Sequence, residues 1–293
     1  MTSNGAVSSG ANTTLALSGT LVANSLAAAN LTITGATTIN QTGKWIIPGA
    51  TALTASGVVV LNHVANDFNT LDITGINFGV RDTSALSITQ ATVSSALTLV
   101  TGGALTQTGA LTVAGTTTVT ATKADITLAN AANSLTGAVT FTGSNVSLTN
   151  NRATLLGAST TTGTLVVTSA AGLTQNGALT IGGNATLTAT DITLANTGNS
   201  FGGTVAFTGA TVALFDSTAL ALAASTASGA ATLTSTAAIT QSGVLAVGGN
   251  AAFTGTDITL NSANTFTGTV AFTGANVGIT DSTPFSLAAS TAT

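Results

Sequence analysis

The chain has 293 residues, of which 4% are charged, and its formal net charge is −4. An average soluble domain has roughly 25% charged residues, so a compact enzyme with charged surface helices is a poor fit. Four Lys and Arg residues are too few for a nucleic-acid interface, and the absence of Cys excludes disulfides and thiolate metal sites.

The chain opens with Met1–Asn4, which lacks the basic and apolar regions of a secretory signal. No run of about 18 apolar residues follows, so no membrane-spanning helix is expected. The 44% hydrophobic residues are nevertheless enough to form a buried core.

One sequence pattern recurs along the chain at a nearly constant spacing. It is anchored by Gln41, Gln107, Gln175 and Gln241. A fixed period predicts a stack of similar structural units, each buried against the next. We therefore expect a single continuous β-solenoid over residues 1–293. Its repeats span 39–104, 105–172, 173–238 and 239–293, the last one incomplete, after a degenerate partial repeat at 10–38.

Within each repeat, apolar residues alternate with small polar ones, as in Val139-Thr140-Phe141-Thr142, which is typical of short half-buried strands. Gly and Asn bound these strands, and both residue types tolerate the positive φ angles of sharp corners. About three coils of roughly 22 residues fit one repeat, so we expect an all-β parallel β-helix of about 13 coils. Phe141, Phe207 and Phe272 occupy matching positions and are expected to stack inside it.

The segment Ala219–Ala231 favours a helix by propensity alone. Its counterpart Leu155–Val167 is rich in Thr and Gly, and equivalent positions should share a fold, so both segments are expected to be solenoid. Neither end of the chain coincides with a repeat boundary. Two explanations follow, of which the first is favoured: a segment of a longer protein, or a subunit whose uncapped ends pair with neighbouring molecules.

Acidic residues recur at two positions of the repeat. The first set could line a calcium or carbohydrate groove, but a hydrogen bond that closes a corner is favoured. One carboxylate per three coils would place neighbours about 14 Å apart, too far to share an ion. In the second set Asn replaces Asp once, which favours a capping role over a charge role. The sets are Asp125, Asp191 and Asp257, and Asp82, Asp216 and Asp281 with Asn150.

His63 is the only histidine, and Asp67 and Asp72 follow it closely. A Ser-His-Asp or zinc site would depend on His63 alone, so a packed or exposed bystander is favoured. Sugar-cleaving β-helices need paired carboxylates or a basic residue beside acidic metal ligands. Here the basic residues lie at different positions of the repeat: Lys44, Arg81, Lys123 and Arg152. We therefore predict no enzyme, no cofactor, and no catalytic, cofactor-binding or metal-ligating residue.

Threonine pairs of the form Thr-x-Thr offer an alternative, an ice- or surface-binding solenoid that presents Thr ladders. Against this, Thr is a natural outward residue of a strand, and the pairs do not recur in every predicted coil. The pairs are Thr118 with Thr120 (and Thr122 beyond), Thr140 with Thr142, and Thr186 with Thr188.

Residues 239–287, together with the stretches 199–214 and 216–222, resemble the β-strand repeats of filamentous-haemagglutinin-type exoproteins of Gram-negative bacteria. The resemblance is clearest over Leu105–Leu287 and fainter over Gly10–Gln90. It implies a right-handed parallel β-helix, secretion through an outer-membrane partner, and a role in adhesion or in a biofilm matrix. The sequence departs from that family's pattern in showing no signal peptide and no N-terminal secretion domain.

The function expected from these features is that of a structural or adhesive rod in a secreted or cell-surface protein. The nearly neutral surface offers little electrostatic repulsion, so lateral or end-to-end self-association into extracellular filaments is expected. A cell-surface or carbohydrate ligand fits the same interpretation, whereas nucleic acid and a membrane span do not.

Overall fold

The computed structural model describes residues 2–3, 7–284 and 286–292, and every regular element in these ranges is a β-strand. The chain divides into two compact units, Met1–Asn151 and Arg152–Thr293. Each unit is a parallel β-solenoid, as the sequence predicts. That both units form one continuous solenoid stays a prediction.

The first unit contains strands β1 to β20. Their bounds are β1 Thr2–Ser3, β2 Val7–Ser8, β3 Thr13–Ala16, β4 Thr20–Ala23, β5 Leu26–Ala27, β6 Leu31–Ala36, β7 Thr38–Gln41, β8 Trp45–Ala55, β9 Val58–Leu61, β10 Asp67–Gly75, β11 Asn77–Asp82, β12 Leu86–Val93, β13 Leu97–Thr101, β14 Leu105–Gln107, β15 Leu111–Val113, β16 Thr117–Ala121, β17 Ile126–Leu128, β18 Ser134–Leu135, β19 Ala138–Gly143 and β20 Val146–Asn150.

The second unit contains strands β21 to β41. Their bounds are β21 Thr154–Leu156, β22 Ser159–Thr161, β23 Leu165–Ser169, β24 Leu173–Gln175, β25 Leu179–Ile181, β26 Ala185–Thr188, β27 Asp191–Leu194, β28 Ser200–Phe201, β29 Thr204–Gly209, β30 Thr211–Asp216, β31 Leu220–Leu222, β32 Ser225–Ala227, β33 Ala231–Ser235, β34 Ile239–Gln241, β35 Leu245–Val247, β36 Ala251–Thr254, β37 Asp257–Phe266, β38 Thr269–Gly274, β39 Asn276–Asp281, β40 Ser286–Leu287 and β41 Thr291–Ala292.

The Ala-rich segment Ala219–Ala231 is extended in the structure. It forms β31 and β32 and enters β33, whereas its counterpart Leu155–Val167 forms β21, β22 and the start of β23. Pairing with the neighbouring coils therefore overrides the helix propensity of alanine, as the comparison of equivalent positions predicts.

In each unit the strands form two parallel sheets, and the chain passes from one sheet to the other in every coil. The coils differ in length, since the coil from Val205 to its partner Leu222 is shorter than the coil from Thr117 to its partner Val139. Because some coils are shorter than predicted, the chain makes about 15 turns, with about three coils to each repeat of about 66 residues.

In the first unit, the first sheet contains β1, β4, β7, β9, β11, β13, β16 and β19, and the second sheet contains β2, β3, β5, β6, β8, β10, β12, β14, β15, β17, β18 and β20. In the second unit, the first sheet contains β21, β22, β24, β25, β27, β28, β30, β33, β36, β38, β40 and β41, and the second sheet contains β23, β26, β29, β31, β32, β34, β35, β37 and β39.

Matching strands of consecutive repeats lie on opposite sheets. In the first unit, Ile39 begins three full coils along the first sheet, through Val59 and Phe78 to Leu97. Its equivalent in the next repeat is Leu105, which lies on the second sheet. In the second unit, the equivalent strands β24 and β34 likewise lie on the first and second sheets. Each repeat therefore spans three full coils plus a half-coil, which carries the chain across to the other sheet.

The interior of each unit is filled by columns of aliphatic and aromatic side chains. Strand residues alternate between buried and more exposed, because successive side chains point to opposite faces of a sheet. Val119, for example, is buried between Leu99 of the preceding coil and Phe141 of the following one. Phe141 and Phe207 are buried as predicted, but Phe272 is only half-buried.

A glycine stands two residues after each anchoring Gln, and close packing between coils requires it there, not a positive φ angle. Among the described residues only Gly35 and Lys123 have positive φ, at 71° and 57°. The expectation that corner Gly and Asn adopt positive φ is therefore wrong at most corners. A Cβ on Gly109 would instead collide with the carbonyl oxygen of Thr89, and one on Gly243 with the backbone nitrogen of Ala224.

Candidate functional site

Each repeat contains a hydrogen-bonded pair of carboxamide side chains. Its Gln ends a strand, and its Asn lies about one coil further along the chain, in a corner in the first three copies and within β37 in the fourth. In the second copy, Nε2 of Gln107 donates to Oδ1 of Asn133 at 2.8 Å, and Nδ2 of Asn133 donates to Oε1 of Gln107 at 2.8 Å. Each side chain thus both donates and accepts. The four pairs are Gln41–Asn66, Gln107–Asn133, Gln175–Asn199 and Gln241–Asn264.

The same side chains also satisfy backbone groups at the corner. Oδ1 of Asn133 accepts from the backbone nitrogen of Leu111 at 2.8 Å, and its Nδ2 donates to the carbonyl of Leu128 at 3.0 Å. Nε2 of Gln107 donates to the carbonyl of Gly109 at 2.6 Å. Equivalent bonds recur in the other three copies. The Asn of each pair is fully buried, and its polar atoms have partners, as a buried amide requires.

A third polar residue extends each pair into the next coil. In the first copy, Asp82 accepts a hydrogen bond from the backbone nitrogen of Phe68, two residues after Asn66, at 2.7 Å. In the second copy, Asn150 accepts from the nitrogen of Leu135 at 2.9 Å. The capping role predicted for this position is confirmed. We call the Gln, the Asn and this third residue of one repeat its polar relay; the third residues are Asp82, Asn150, Asp216 and Asp281.

Asp and Asn do not serve this third position equally well. Nδ2 of Asn150 donates to the carbonyl of Leu135 at 3.0 Å, which a carboxylate oxygen cannot do. Accordingly, Oδ2 of Asp216 and Oδ2 of Asp281 are buried and have no hydrogen-bond partner among the described residues. The position selects an oxygen acceptor for the backbone. The second oxygen of Asp82 also accepts, from the backbone nitrogen of Ser84 at 3.0 Å, whereas the second oxygens of Asp216 and Asp281 gain no partner among the described residues.

Asp82 has a further neighbour in Asp67. Burial raises the pKa of the Asp82 carboxyl above its ordinary value, and the hydrogen bonds from the backbone nitrogens of Phe68 and Ser84 partly oppose this rise. The negative charge of Asp67 raises the pKa further, while the Ser84 hydroxyl lowers it. The Ser84 hydroxyl donates to Oδ1 of Asp67 at 2.8 Å and lies 3.3 Å from Oδ2 of Asp82, so the two carboxylates compete for one donor.

The acidic residues of the first set hold corners together. Oδ1 of Asp125 accepts from the backbone nitrogen of Asn145 at 3.0 Å, and Oδ1 of Asp191 accepts from that of Thr211 at 3.0 Å. Asp257 accepts from Nδ2 of Asn276 at 2.6 Å. These bonds agree with the corner role predicted for them.

The disfavoured alternative, in which this set lines one groove, is wrong. Asp191 begins β27 on the first sheet of its unit, whereas Asp257 begins β37 on the second sheet. The two carboxylates are therefore on opposite sides of the solenoid, because a repeat does not contain a whole number of coils. They cannot line one groove.

His63 occupies a turn position that Asn fills in other copies. Its Nδ1 accepts a hydrogen bond from the backbone nitrogen of Ala65 at 3.1 Å. In the corresponding turns, Oδ1 of Asn130 accepts from Ala132 and Oδ1 of Asn196 from Gly198, both at 2.9 Å. His63 thus acts as a local turn residue. No hydrogen bond joins it to Asp67 or Asp72 among the described residues.

The charged residues that sequence reasoning considered do not converge on one place. The side chains of Lys44, Arg81, Lys123 and Arg152 are all exposed. Across the ranges that the structure describes, no three His, Cys, Asp or Glu residues lie close enough together to hold a metal ion. Those ranges also contain no helix long and apolar enough to cross a membrane.

Threonines form columns on the outer faces of the sheets. In the first unit, Thr118 pairs with Thr140 and Thr120 with Thr142, so the two predicted Thr-x-Thr pairs stack in adjacent coils. Thr186 is flanked by Val166 and Ala206 and belongs to no column. Longer single columns are Thr54–Thr74–Thr92–Thr112, Thr168–Thr188–Thr208–Thr226 and Thr234–Thr254–Thr273–Thr291.

Sequence reasoning missed the buried Asn of the polar relay, which resembles a turn former. A local signal exists, since each of these Asn residues precedes a polar residue and then Phe or Leu. Asn66-Asp67-Phe68 and Asn133-Ser134-Leu135 are examples. The Asn follows its Gln by 25 and 26 residues in these copies, slightly more than one coil.

Comparison with known families agrees with this repeating architecture. A family model described as repeats of unknown function (DUF5649) matches residues 2–74, 75–142, 143–208 and 209–273. The chain belongs to this family. The spacing of the successive DUF5649 matches is close to the spacing of the anchoring Gln residues. Each match contains one anchoring Gln with its paired Asn, and the third residue of that relay lies beyond the end of the match. No curated protein and no solved structure matches the chain significantly.

Proposed function

We propose that this DUF5649 chain is a structural, adhesive segment of a secreted or cell-surface protein. The observation that carries the proposal is the polar relay. The most regular polar residues of the repeat are turned inward and bond to one another and to the backbone. We therefore infer that the repeats lengthen the solenoid and hold its coils together.

The outer faces of the sheets support the same proposal. Their outward positions are filled mainly by Thr, Ser and Ala, as in the columns through Thr92 and Thr254. Charge is sparse, so little electrostatic repulsion opposes close approach of two copies. This surface supports our proposal of self-association into extracellular filaments and of contact with a cell-surface or carbohydrate ligand.

The sequence resemblance to filamentous-haemagglutinin-type exoproteins supports the extracellular location and a Gram-negative source. Surface proteolysis of intact cells, with immunoblotting against the chain, tests the location. We expect the protein to be degraded without cell lysis or to be recovered from the medium. Retention inside protease-resistant cells would contradict the proposal.

Self-association is tested on the purified chain by sedimentation velocity and electron microscopy over a range of concentrations. We expect species larger than the monomer that persist at high salt, because the faces in question carry few charges. A Thr254→Lys variant places a charge on an exposed column and should reduce these species. Monodisperse monomers at every concentration would contradict self-association while leaving the location to the proteolysis experiment.

A second candidate is binding to ice or another ordered surface, and the stacked pairs Thr118/Thr120 and Thr140/Thr142 favour it. On its preceding side the paired array stops at these coils, since Thr118 and Thr120 are preceded by Thr98 and Val100. Thermal hysteresis of the purified chain, with Thr120→Lys as the control variant, tests this candidate. Hysteresis that is absent, or that the substitution does not change, would contradict it.

A further inference from the structure

The turn that follows the Gln of the third polar relay contains a dipeptide that the other copies lack. Asn176 follows Gln175 and precedes Gly177, whereas the same position is Thr42, Thr108 or Ser242 in the other repeats. Asn176 is exposed, as are its three counterparts. The only other Asn-Gly dipeptide in the sequence, at residues 4–5, lies outside the described residues.

Both groups that would react with each other at this dipeptide are free of hydrogen bonds in the described structure. The Asn176 side chain has no hydrogen-bond partner, although its backbone nitrogen donates to the carbonyl of Leu156 at 2.9 Å. The backbone N–H of Gly177 likewise donates to nothing, while its carbonyl accepts from Nε2 of Gln175 at 2.6 Å. Glycine also presents no side chain to hinder approach to its nitrogen.

We propose that Asn176 is a site of spontaneous deamidation in the folded protein. The backbone nitrogen of Gly177 loses its proton to solvent base and attacks Cγ of Asn176, forming a new N–C bond. The bond from Cγ to Nδ2 breaks, and the nitrogen leaves as ammonia. Water then opens the resulting succinimide at either carbonyl, which gives aspartate or isoaspartate.

Two other asparagines that precede a small residue are held in a different way. Asn133 and Asn199 each precede Ser, but both are fully buried. The amide nitrogen of Asn199 donates to Gln175 at 2.8 Å and to the carbonyl of Leu194 at 3.0 Å. These bonds fix the side chain in place, so the reaction is expected to favour Asn176 over Asn133 and Asn199.

The modification would act directly on the polar relay. Isoaspartate inserts a methylene group into the backbone between residues 176 and 177. Gly177 packs closely against Ala158 of the preceding coil, where even a Cβ would collide with a backbone nitrogen. The insertion therefore displaces the Gly177 carbonyl from Gln175, and the coils around this relay are expected to loosen in the modified fraction.

The test incubates the folded chain at mildly alkaline pH and follows it by isoelectric focusing and by peptide mapping with fragmentation that separates isoaspartate from aspartate. We expect a more acidic species that accumulates with time and carries the change at residue 176. A parallel sample unfolded in guanidinium gives the rate for the unconstrained chain. The proposal is overturned if Asn176 stays intact in the folded chain while the unfolded chain is converted.

Two substitutions taken from the repeats themselves sharpen the test. Asn176→Thr copies the residue of the second repeat and should abolish the change at 176 without affecting the circular dichroism spectrum. Ser242→Asn creates the same dipeptide before Gly243 in the fourth repeat, and a second deamidation site is expected there. A folded Ser242→Asn chain that deamidates at 176 but not at 242 would show that the polar-relay corner does not explain the reactivity.

Discussion

Replacing Asn133 by Leu should remove the centre of one polar relay with little change in side-chain volume. The backbone nitrogen of Leu111 and the carbonyl of Leu128 would both lose the side-chain partner that they have at 2.8 and 3.0 Å. An orphaned buried polar group costs about 1–3 kcal/mol, so these two groups predict a loss of about 2–6 kcal/mol in the free energy of unfolding.

Replacing Gln107 by Leu should cost less, about 1 kcal/mol, because Asn133 would keep its bonds to both backbone groups. Both substitutions break the bonds between the two side chains. Gln107→Leu also breaks the bond to the Gly109 carbonyl, whereas Asn133→Leu breaks the bonds to Leu111 and Leu128, so the difference compares the backbone bonds of the two side chains. Asn69→Thr is the matched control, since Asn69 is exposed on β10 and has no hydrogen-bonded side-chain partner in the described structure. Its effect should be within about 0.5 kcal/mol.

The assay is equilibrium unfolding in urea, followed by far-ultraviolet circular dichroism and by fluorescence. Trp45 is the only tryptophan and the chain has no tyrosine, so the fluorescence reports on the first unit, where Trp45 is fully buried. The reasoning is refuted if Asn133→Leu costs less than about 1 kcal/mol, or no more than Gln107→Leu.

Three further predictions are tested by the same equilibrium unfolding in urea, followed by circular dichroism with or without fluorescence. Gly243→Ala should destabilise the chain by about 1–3 kcal/mol, because the added Cβ would overpack the neighbouring coil. Gly19→Ala is the control and should have no such effect, since the space around Gly19 is open. Equal losses of stability in the two variants would contradict the packing explanation. Thr117→Val should raise the free energy of unfolding by about 1 kcal/mol, since it removes a buried hydroxyl without a partner, and a loss of stability would count against this. The raised pKa of Asp82 means that the folded state binds its proton more tightly than the unfolded state, so this group's contribution to stability is greatest below pH 3.8 and is lost as pH rises through the raised pKa. Asp82→Asn should remove that part of the pH dependence, and identical pH profiles for the two chains would contradict the assignment.

The strands and coils could be predicted because alternating burial leaves a direct trace in the sequence. Interior positions such as Val119 and Leu187 must be apolar, and their neighbours must face outward. The third residue of the relay was also predictable in role, because Asn150 stands where other copies have Asp. A position that accepts either residue needs the shared oxygen and not the charge.

The partner of each anchoring Gln could not be predicted, because two different lengths are involved. The sequence period counts residues per repeat, whereas contacts depend on residues per coil, and the coils vary in length from one turn to the next. Asn133 is therefore 26 residues from Gln107, a distance that no fixed period indicates. Its neighbours Asn130 and Ser134 are typical of an exposed turn, so the residue types around Asn133 do not indicate that its side chain is buried.

The half-coil that ends each repeat constrains how such a chain can change in length. Adding or removing one whole repeat within a unit would preserve every polar relay, since each relay is contained in its own repeat. It would, however, turn every later coil by half a revolution and exchange the two outer faces. Only changes by two repeats would leave a surface column such as Thr234–Thr254–Thr273 on its original side. A lineage that uses one face for contact is therefore expected to gain and lose these repeats in pairs.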